Sequence, residues 1–352
     1  MTSDDDRAIE ILDMANRARN NEDFEDAVRR YSEAIDLGCS RINEALYYRG
    51  ASLLELGSEE KALDDLEECK LRGGTGDASL YSNLGVCLHR LGRNKEALSA
   101  YEAGIEMHQP DRNGILYNKI GYLHEDLEQV DKAISAFSKA LGCRYYGCTD
   151  DLGRLISQTA ELDKGIHMLE SFISRFGKMM PASPLADLYF WIGTCQFDIE
   201  DTQESPNYSK AIKAFDIAMN ERSNLTRSLF GRGRANLYAD NFEAAIQDFT
   251  DMIESKCEAE QGRDAYAHYY RAKARACTGQ YLLSLIDLDI ALILDDQDSE
   301  FYFLKGCILQ TLGREEQACE AWGTAIDLGH QDAVGLFESY RCVRSLVVGR
   351  RT

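Results

Sequence analysis

Residues 81–101 read YSNLGVCLHRLGRNKEALSAY. Two small residues, Gly85 and Ala97, stand twelve positions apart, Leu91-Gly92 lies between them, and Tyr101 follows four positions after the second. Glycine after an apolar residue ends a helix, because it accepts the left-handed backbone at little cost. The stretch therefore reads as helix, turn, helix. The two backbones approach closely at positions 85 and 97, where a large side chain would overpack the crossing by about 1–3 kcal/mol.

The same spacing recurs along the chain, at Ala15/Ala27, Gly50/Ala62, Gly121/Ala133, Gly153/Gly165, Gly233/Ala245, Ala272/Ser284 and Gly306/Ala318. In a ninth case, Gly193/Ala211, the gap is stretched by six residues, and a polar run at 201–207 accounts for the stretch. Successive units begin 32 to 40 residues apart, a period that marks a helical solenoid. Four positions after the second small residue comes an aromatic or apolar side chain, among them Tyr31, Phe137, Phe215, Phe249 and Trp322. Three further on stands mostly alanine, as at Ala34, Ala140, Ala218, Ala291 and Ala325, so these offsets form one stripe on the second helix.

Tyr81-Leu84-Gly85-Leu88-Ala97-Tyr101 and Tyr117-Ile120-Gly121-Ala133-Phe137-Ala140 resemble the tetratricopeptide repeat. The resemblance covers about residues 8 to 332 and lacks the family's final proline in nearly every unit. It implies an all-α, right-handed superhelical solenoid of antiparallel helix pairs, with about nine repeats and a C-terminal capping helix. The expected repeats fall at about 8–41, 43–76, 78–111, 114–147, a degenerate 146–177, 186–225 with a loop insertion at 201–207, 226–259, 265–298 and 299–332, all within one array. The cap is expected at 332–347 and a tail at 348–352. The unit at 146–177 lacks the aromatic and is followed by Pro181 and Pro184, which predicts an irregular junction.

Composition narrows the function. The net charge is −21, with 60 acidic against 39 basic residues. Such a surface repels phosphate backbones and anionic lipid, which argues against nucleic acid and membrane partners. No apolar run is long enough to span a bilayer, and the opening Met1-Thr2-Ser3-Asp4-Asp5-Asp6 is not a signal peptide. Eleven cysteines occur without a Cys-x-x-Cys pair. They read as small core side chains in a reducing, cytoplasmic compartment rather than as disulfides or a zinc site.

One pattern predicts buried ion pairs. Arg49, Arg232 and Arg271 stand one position before the first small residue of their units, and sixteen residues after each comes Asp65, Asp248 or Asp287. Units with Leu84 or Ile120 at the first position carry Ala100 or Ala136 at the second, so Arg and Asp occur together. Arginine suits such a bridge because its planar fork meets a carboxylate at two points. Lys305 faces Ala321 at the matching place and lacks that partner.

Catalytic signatures are missing: the chain has no HExxH, no GxxxxGK[ST] and no G-x-S-x-G. Gly73-Gly74-Thr75-Gly76 reads as a linker, and the six histidines are scattered over different units. No enzyme, metal or cofactor is expected. In the resembled family the first helices line a concave groove. Here Trp191, Arg227, Phe230, Arg234, Tyr238, Tyr270 and Lys273 occupy groove positions, and residues 222–238 hold four arginines and no acid. Arginine beside aromatics suits an acidic peptide with apolar anchors. Tyr48, Asn83, Asn118, Lys119 and Tyr122 hold similar positions in the first half. The Lys/Asn set that clamps chaperone carboxylate tails does not occur in three consecutive units. Three readings stay open: an adaptor or scaffold that grips a protein segment in its groove, a non-catalytic regulatory or assembly subunit of a larger complex, and, against the charge, an RNA-binding helical repeat.

Overall fold

The structure is a computed structural model that describes residues 4–74, 77–107, 110–204, 206–220, 225–255 and 263–340. Among these residues there are nineteen α-helices, one 3-10 turn and no strand. The chain divides into two units, residues 1–156 and 157–352.

In the first unit, α1 (Asp4–Asn20) pairs with α2 (Phe24–Asp36), α3 (Ile42–Glu55) with α4 (Glu59–Leu71), α5 (Ala78–Arg90) with α6 (Asn94–Glu106), and α7 (Pro110–Asp126) with α8 (Val130–Gly142). Helix α9 (Thr149–Ser157) ends this unit. The second unit opens with α10 (Leu162–Phe176) and a 3-10 turn at Gly177–Met179. There α11 (Ala182–Asp201) pairs with α12 (Ser209–Ala218), α13 (Leu225–Tyr238) with α14 (Phe242–Glu254), α15 (Arg263–Cys277) with α16 (Tyr281–Leu294), and α17 (Ser299–Thr311) with α18 (Glu315–Asp327). Helix α19 (Gln331–Ser339) packs on α18. Apart from α8 before α9, the second helix of each hairpin also meets the helix that follows it, and successive first helices touch, as α3 with α5 and α13 with α15 do. The division falls inside the expected 146–177 repeat, whose two helices belong to different units.

The crossings explain the small residues. A Cβ added to Gly85 would lie 2.3 Å from Tyr101, one on Gly121 2.4 Å from Phe137, and one on Gly306 2.5 Å from Trp322. In each hairpin the ring of the second helix occupies the space that the first helix leaves by having no side chain. Tyr101 and Phe137 are fully buried as a result, and close packing of this kind accounts for most of a helix pair's stability. The turns follow the local rule: Gly92 sits at φ 74° with its N–H on the His89 carbonyl at 2.9 Å. Glu128 and Asp240 take the same left-handed conformation without glycine's freedom. Several starts are capped by aspartate, as where Asp298 accepts from the Glu300 N–H at 2.9 Å.

The capping helix is shorter in its described part than the expected 332–347. It covers Gln331–Ser339, followed by Tyr340 stacked on Trp322 at 5.4 Å between centroids; residues 341–347 and the tail at 348–352 lie outside the described residues. Among the described residues eight cysteines are free thiols, and Cys69, Cys87, Cys148 and Cys195 are fully buried. Cys319 departs from the reading of all eleven as free core thiols, because it is disulfide-bonded. Among the described residues no helix is long and apolar enough to cross a membrane, and no group of three or more His, Cys, Asp and Glu side chains could hold a metal ion.

Candidate functional site

The ion-pair positions meet as two-point contacts. Arg49 donates to both Asp65 oxygens, Nε at 2.7 Å and Nη2 at 2.6 Å, and its Nη1 reaches the Ser32 hydroxyl on α2 at 3.0 Å. Arg232 Nη2 lies 2.5 Å from Asp248 Oδ1, with Nε 3.1 Å from both oxygens. Asn236 donates to the same carboxylate at 2.9 Å. Arg232 also reaches Asp216 of the preceding hairpin at 2.5 Å. Arg271 pairs with Asp287 through Nη2 at 2.7 Å and Nε at 3.1 Å. Two more groups join Asp287: Arg275 at 2.7 Å and the His268 ring at 3.3 Å. Lys305, with Ala321 at its forward position, pairs backwards with Asp289 of the preceding hairpin at 2.7 Å.

Burial and charge compete differently at these carboxylates. Burial pushes the Asp248 carboxyl above its ordinary value, more than Arg232 and Asn236 pull it down. Burial also raises the Asp287 carboxyl, but His268, Arg271 and Arg275 outweigh it and hold the group below the usual range. Arg232 divides its charge between two carboxylates. Burial acts to lower its pKa, yet Asp248 and Asp216 together raise it.

The candidate groove residues lie on three neighbouring first helices of the second unit. On α13, Arg227, Phe230, Arg234 and Tyr238 follow at i, i+3, i+7 and i+11, which sets them on one face. Leu229, Gly233 and Leu237, about a quarter turn round the helix, are buried in the packing. The cations of this face stack on rings of adjacent helices. The Arg227 guanidinium lies 4.1 Å from the Phe190 ring and 5.4 Å from Trp191 on α11. Arg234 lies 4.5 Å from Phe197 on α11 and 5.6 Å from Tyr270 on α15. Lys273 lies 5.3 Å from the Tyr238 ring. Each contact is worth roughly 0.5–2 kcal/mol depending on exposure. Phe230 packs edge-on against both Phe249 and Tyr270, so it also serves the contact between hairpins.

Between α11 and α13 the rings and arginines enclose a cavity of about 170 Å³, lined by Phe190, Phe197, Phe215, Asp198, Arg227 and Arg234 among others. Asp198 is the acid of this wall; burial raises its carboxyl, against the pull of Arg234. The sequence reading did not include Phe190, Phe197 or Asp198. The seven-residue step from Phe190 to Phe197, matching that from Arg227 to Arg234, was the signal that could have found the two rings.

Three of the first-half positions are taken up in packing or pairing. Asn118 is buried, Tyr122 donates its hydroxyl to Asp151 at 2.6 Å, and Tyr48 lies beneath the Arg19 guanidinium at 4.2 Å.

Comparison with known proteins agrees with this architecture. One tetratricopeptide repeat family model matches residues 12–70 and 88–144, and a second matches 299–328. The small glutamine-rich tetratricopeptide repeat-containing protein 2 of Mycosarcoma maydis is 33% identical over 110 residues, which is 30% of this chain and 30% of that protein. The chain thus spans under a third of that relative's length. Among solved structures, MamA (41-end) from Desulfovibrio magneticus RS-1 has a TM-score of 0.43 at 18% identity, covering 53% of this chain and 99% of MamA. Yeast Tom70 has a TM-score of 0.41 at 14% identity, covering 92% of this chain and 76% of that one. The paired helices, the ring-against-glycine crossings and the matched segments make this chain a tetratricopeptide repeat protein.

Proposed function

We propose that the chain is a protein-interaction adaptor, without catalysis of its own, that holds an acidic protein segment with apolar side chains on the face of α11, α13 and α15. The observation that carries this reading is the row of Arg227, Arg234 and Lys273, each stacked on aromatic rings, in a chain of net charge −21. Stacked guanidinium groups lose little further freedom when they meet a carboxylate, and aromatics beside them supply apolar contact. The small cavity between Phe190, Phe197 and the two arginines would take one apolar side chain of the bound segment. The acidic balance disfavours RNA in this role.

A labelled peptide alternating Glu with Leu and Phe, titrated against the full chain by fluorescence anisotropy, tests the proposal. Arg234→Glu with Lys273→Glu should weaken binding by about tenfold or more, equivalent to roughly 1.4 kcal/mol, with helicity unchanged. An unaltered Kd would refute the assignment of this face.

A second reading, a regulatory or assembly subunit that makes its contacts through outer faces, is favoured by one observation. The outer side of α16 is apolar where the outer sides of its neighbours are charged.

A further inference from the structure

The repeat supplies its own reference for what the outside of a second helix should carry. Counted from the small crossing residue, the outward positions of α14 are Glu243, Gln247, Asp251 and Glu254, all exposed. Those of α18 are Glu316, Glu320, Thr324 and Asp327. The same positions of α16, between them in sequence, are Leu282, Ile286, Ile290 and Ile293. Leu282 is 60% exposed, Ile286 54% and Ile293 83%, with Leu283 and Leu294 beside them also exposed. The offsets of four, four and three residues make a continuous ridge on one side of the helix. From Leu282 to Ile293 that ridge runs about 16 Å at 1.5 Å per residue. It is not needed for the hairpin's own core, which α16 fills with Leu285, Leu288 and Ala291. Contiguous exposed apolar surface on a folded chain marks an interaction site.

We infer that the outer ridge of α16 is a docking surface for an amphipathic helix of a partner protein, with Leu- or Ile-type residues on one face and Lys or Arg beside them. Helical geometry follows from the ridge, which seats between the side-chain rows of another helix. The basic flanks follow from charge. Asp289, 58% exposed though it already meets Lys305 of α17, lies along the ridge, and Asp295 and Asp296 follow its end. There the helix's own C-terminal partial negative charge adds to them. Helix α16 contains no Lys or Arg to answer these acids, which sets a second copy of the same surface at a disadvantage. This ridge belongs to a second helix, apart from the Arg234 and Lys273 face, so the two surfaces can fail independently.

The probe is a fluorescein-labelled 18-residue helical peptide with a leucine face and a lysine face; the control is the same peptide with Glu for Lys. Anisotropy titration of the full chain should show binding of the Lys peptide, at least tenfold weaker binding of the Glu peptide, and at least tenfold loss with Ile286→Glu plus Ile293→Glu. That pair of changes makes the chain more acidic, so general attraction of a cationic peptide cannot explain the loss. Ile293→Glu alone, at the most exposed site, gives a smaller loss of the same sign. Arg234→Glu with Lys273→Glu should leave the titration unchanged. Equal affinity for the double Ile variant or for the Glu peptide would overturn the proposal. So would a wild-type dimer, seen by sedimentation velocity, that the Ile variant converts to monomer. A rise in affinity on Arg350→Glu with Arg351→Glu would assign the ridge to the chain's own last residues and overturn it equally.

Discussion

Asp248 in the α13/α14 hairpin and Asp287 in the α15/α16 hairpin occupy the same repeat position, with an arginine sixteen residues before each. Both are nearly inaccessible, at 3% and 1% side-chain exposure. Yet one carboxyl is pushed up and the other held down. The difference lies in how cations are shared. Arg232 serves two carboxylates, whereas Asp287 receives Arg271, Arg275 and the His268 ring. A matched pair in sequence therefore does not fix the electrostatics of a site; the neighbours that share the pair do.

The most damaging way to break the comparison is alanine at each aspartate. Asp287→Ala strands two partly buried guanidinium groups and should cost about 5 kcal/mol, the upper end for removing one partner of a buried pair. Asp248→Ala leaves Arg232 with Asp216 and should cost about 3 kcal/mol. Urea unfolding of both variants measures the gap, and equal losses would show that Asp216 offers Arg232 no substitute. Arg275→Met comes next: it leaves Asp287 with Arg271 and His268, at a cost of about 1–3 kcal/mol. Carboxyl titration followed by NMR should then show the Asp287 pKa moving upward.

The two sites should also respond to acid with opposite signs. A carboxyl whose folded pKa lies below its unfolded value of about 3.9 contributes stability that is present above that value and lost as pH falls through the folded pKa. Wild type should therefore lose ground to Asp287→Asn as pH drops below about 4. Asp248 is the reverse case, since its folded form takes up the proton first. Wild type should gain on Asp248→Asn as pH falls through the raised folded value toward about 3.9. Denaturation midpoints measured in half-unit steps from pH 6 to 3 would show the opposite slopes, and parallel curves would contradict them. The smallest effect belongs to Asp216→Ala. Its half-exposed pair with Arg232 should contribute no more than about 1 kcal/mol by itself.

What the sequence made legible was local and periodic. The twelve-residue spacing of Gly85 and Ala97 marks a helix crossing because it is a property of one hairpin, and the sixteen-residue spacing of Arg49 and Asp65 is another. The extra charges that gather round these pairs were harder to see. Asp216, sixteen residues before Arg232, belongs to the preceding hairpin, and Arg275, twelve before Asp287 in the same hairpin, stands where the repeat pattern demands no charge. Asn118 has a groove position by count, yet it is buried. The α16 ridge is plain in the string LLSLIDLDIALIL, but a helix apolar on nearly every side reads as core until the structure shows which side faces water.

Arg232 holds one carboxylate on its own hairpin and another on the hairpin before it, and Lys305 and Arg49 likewise reach back to Asp289 and Ser32. Each such side chain has a foot on either side of a seam, so melting one hairpin withdraws a partner from the next. In a linear array this raises the penalty for a boundary between ordered and frayed segments. Loss of order would then spread by whole hairpins rather than by single helix turns, and amide protons along α12 to α14 would exchange as a block.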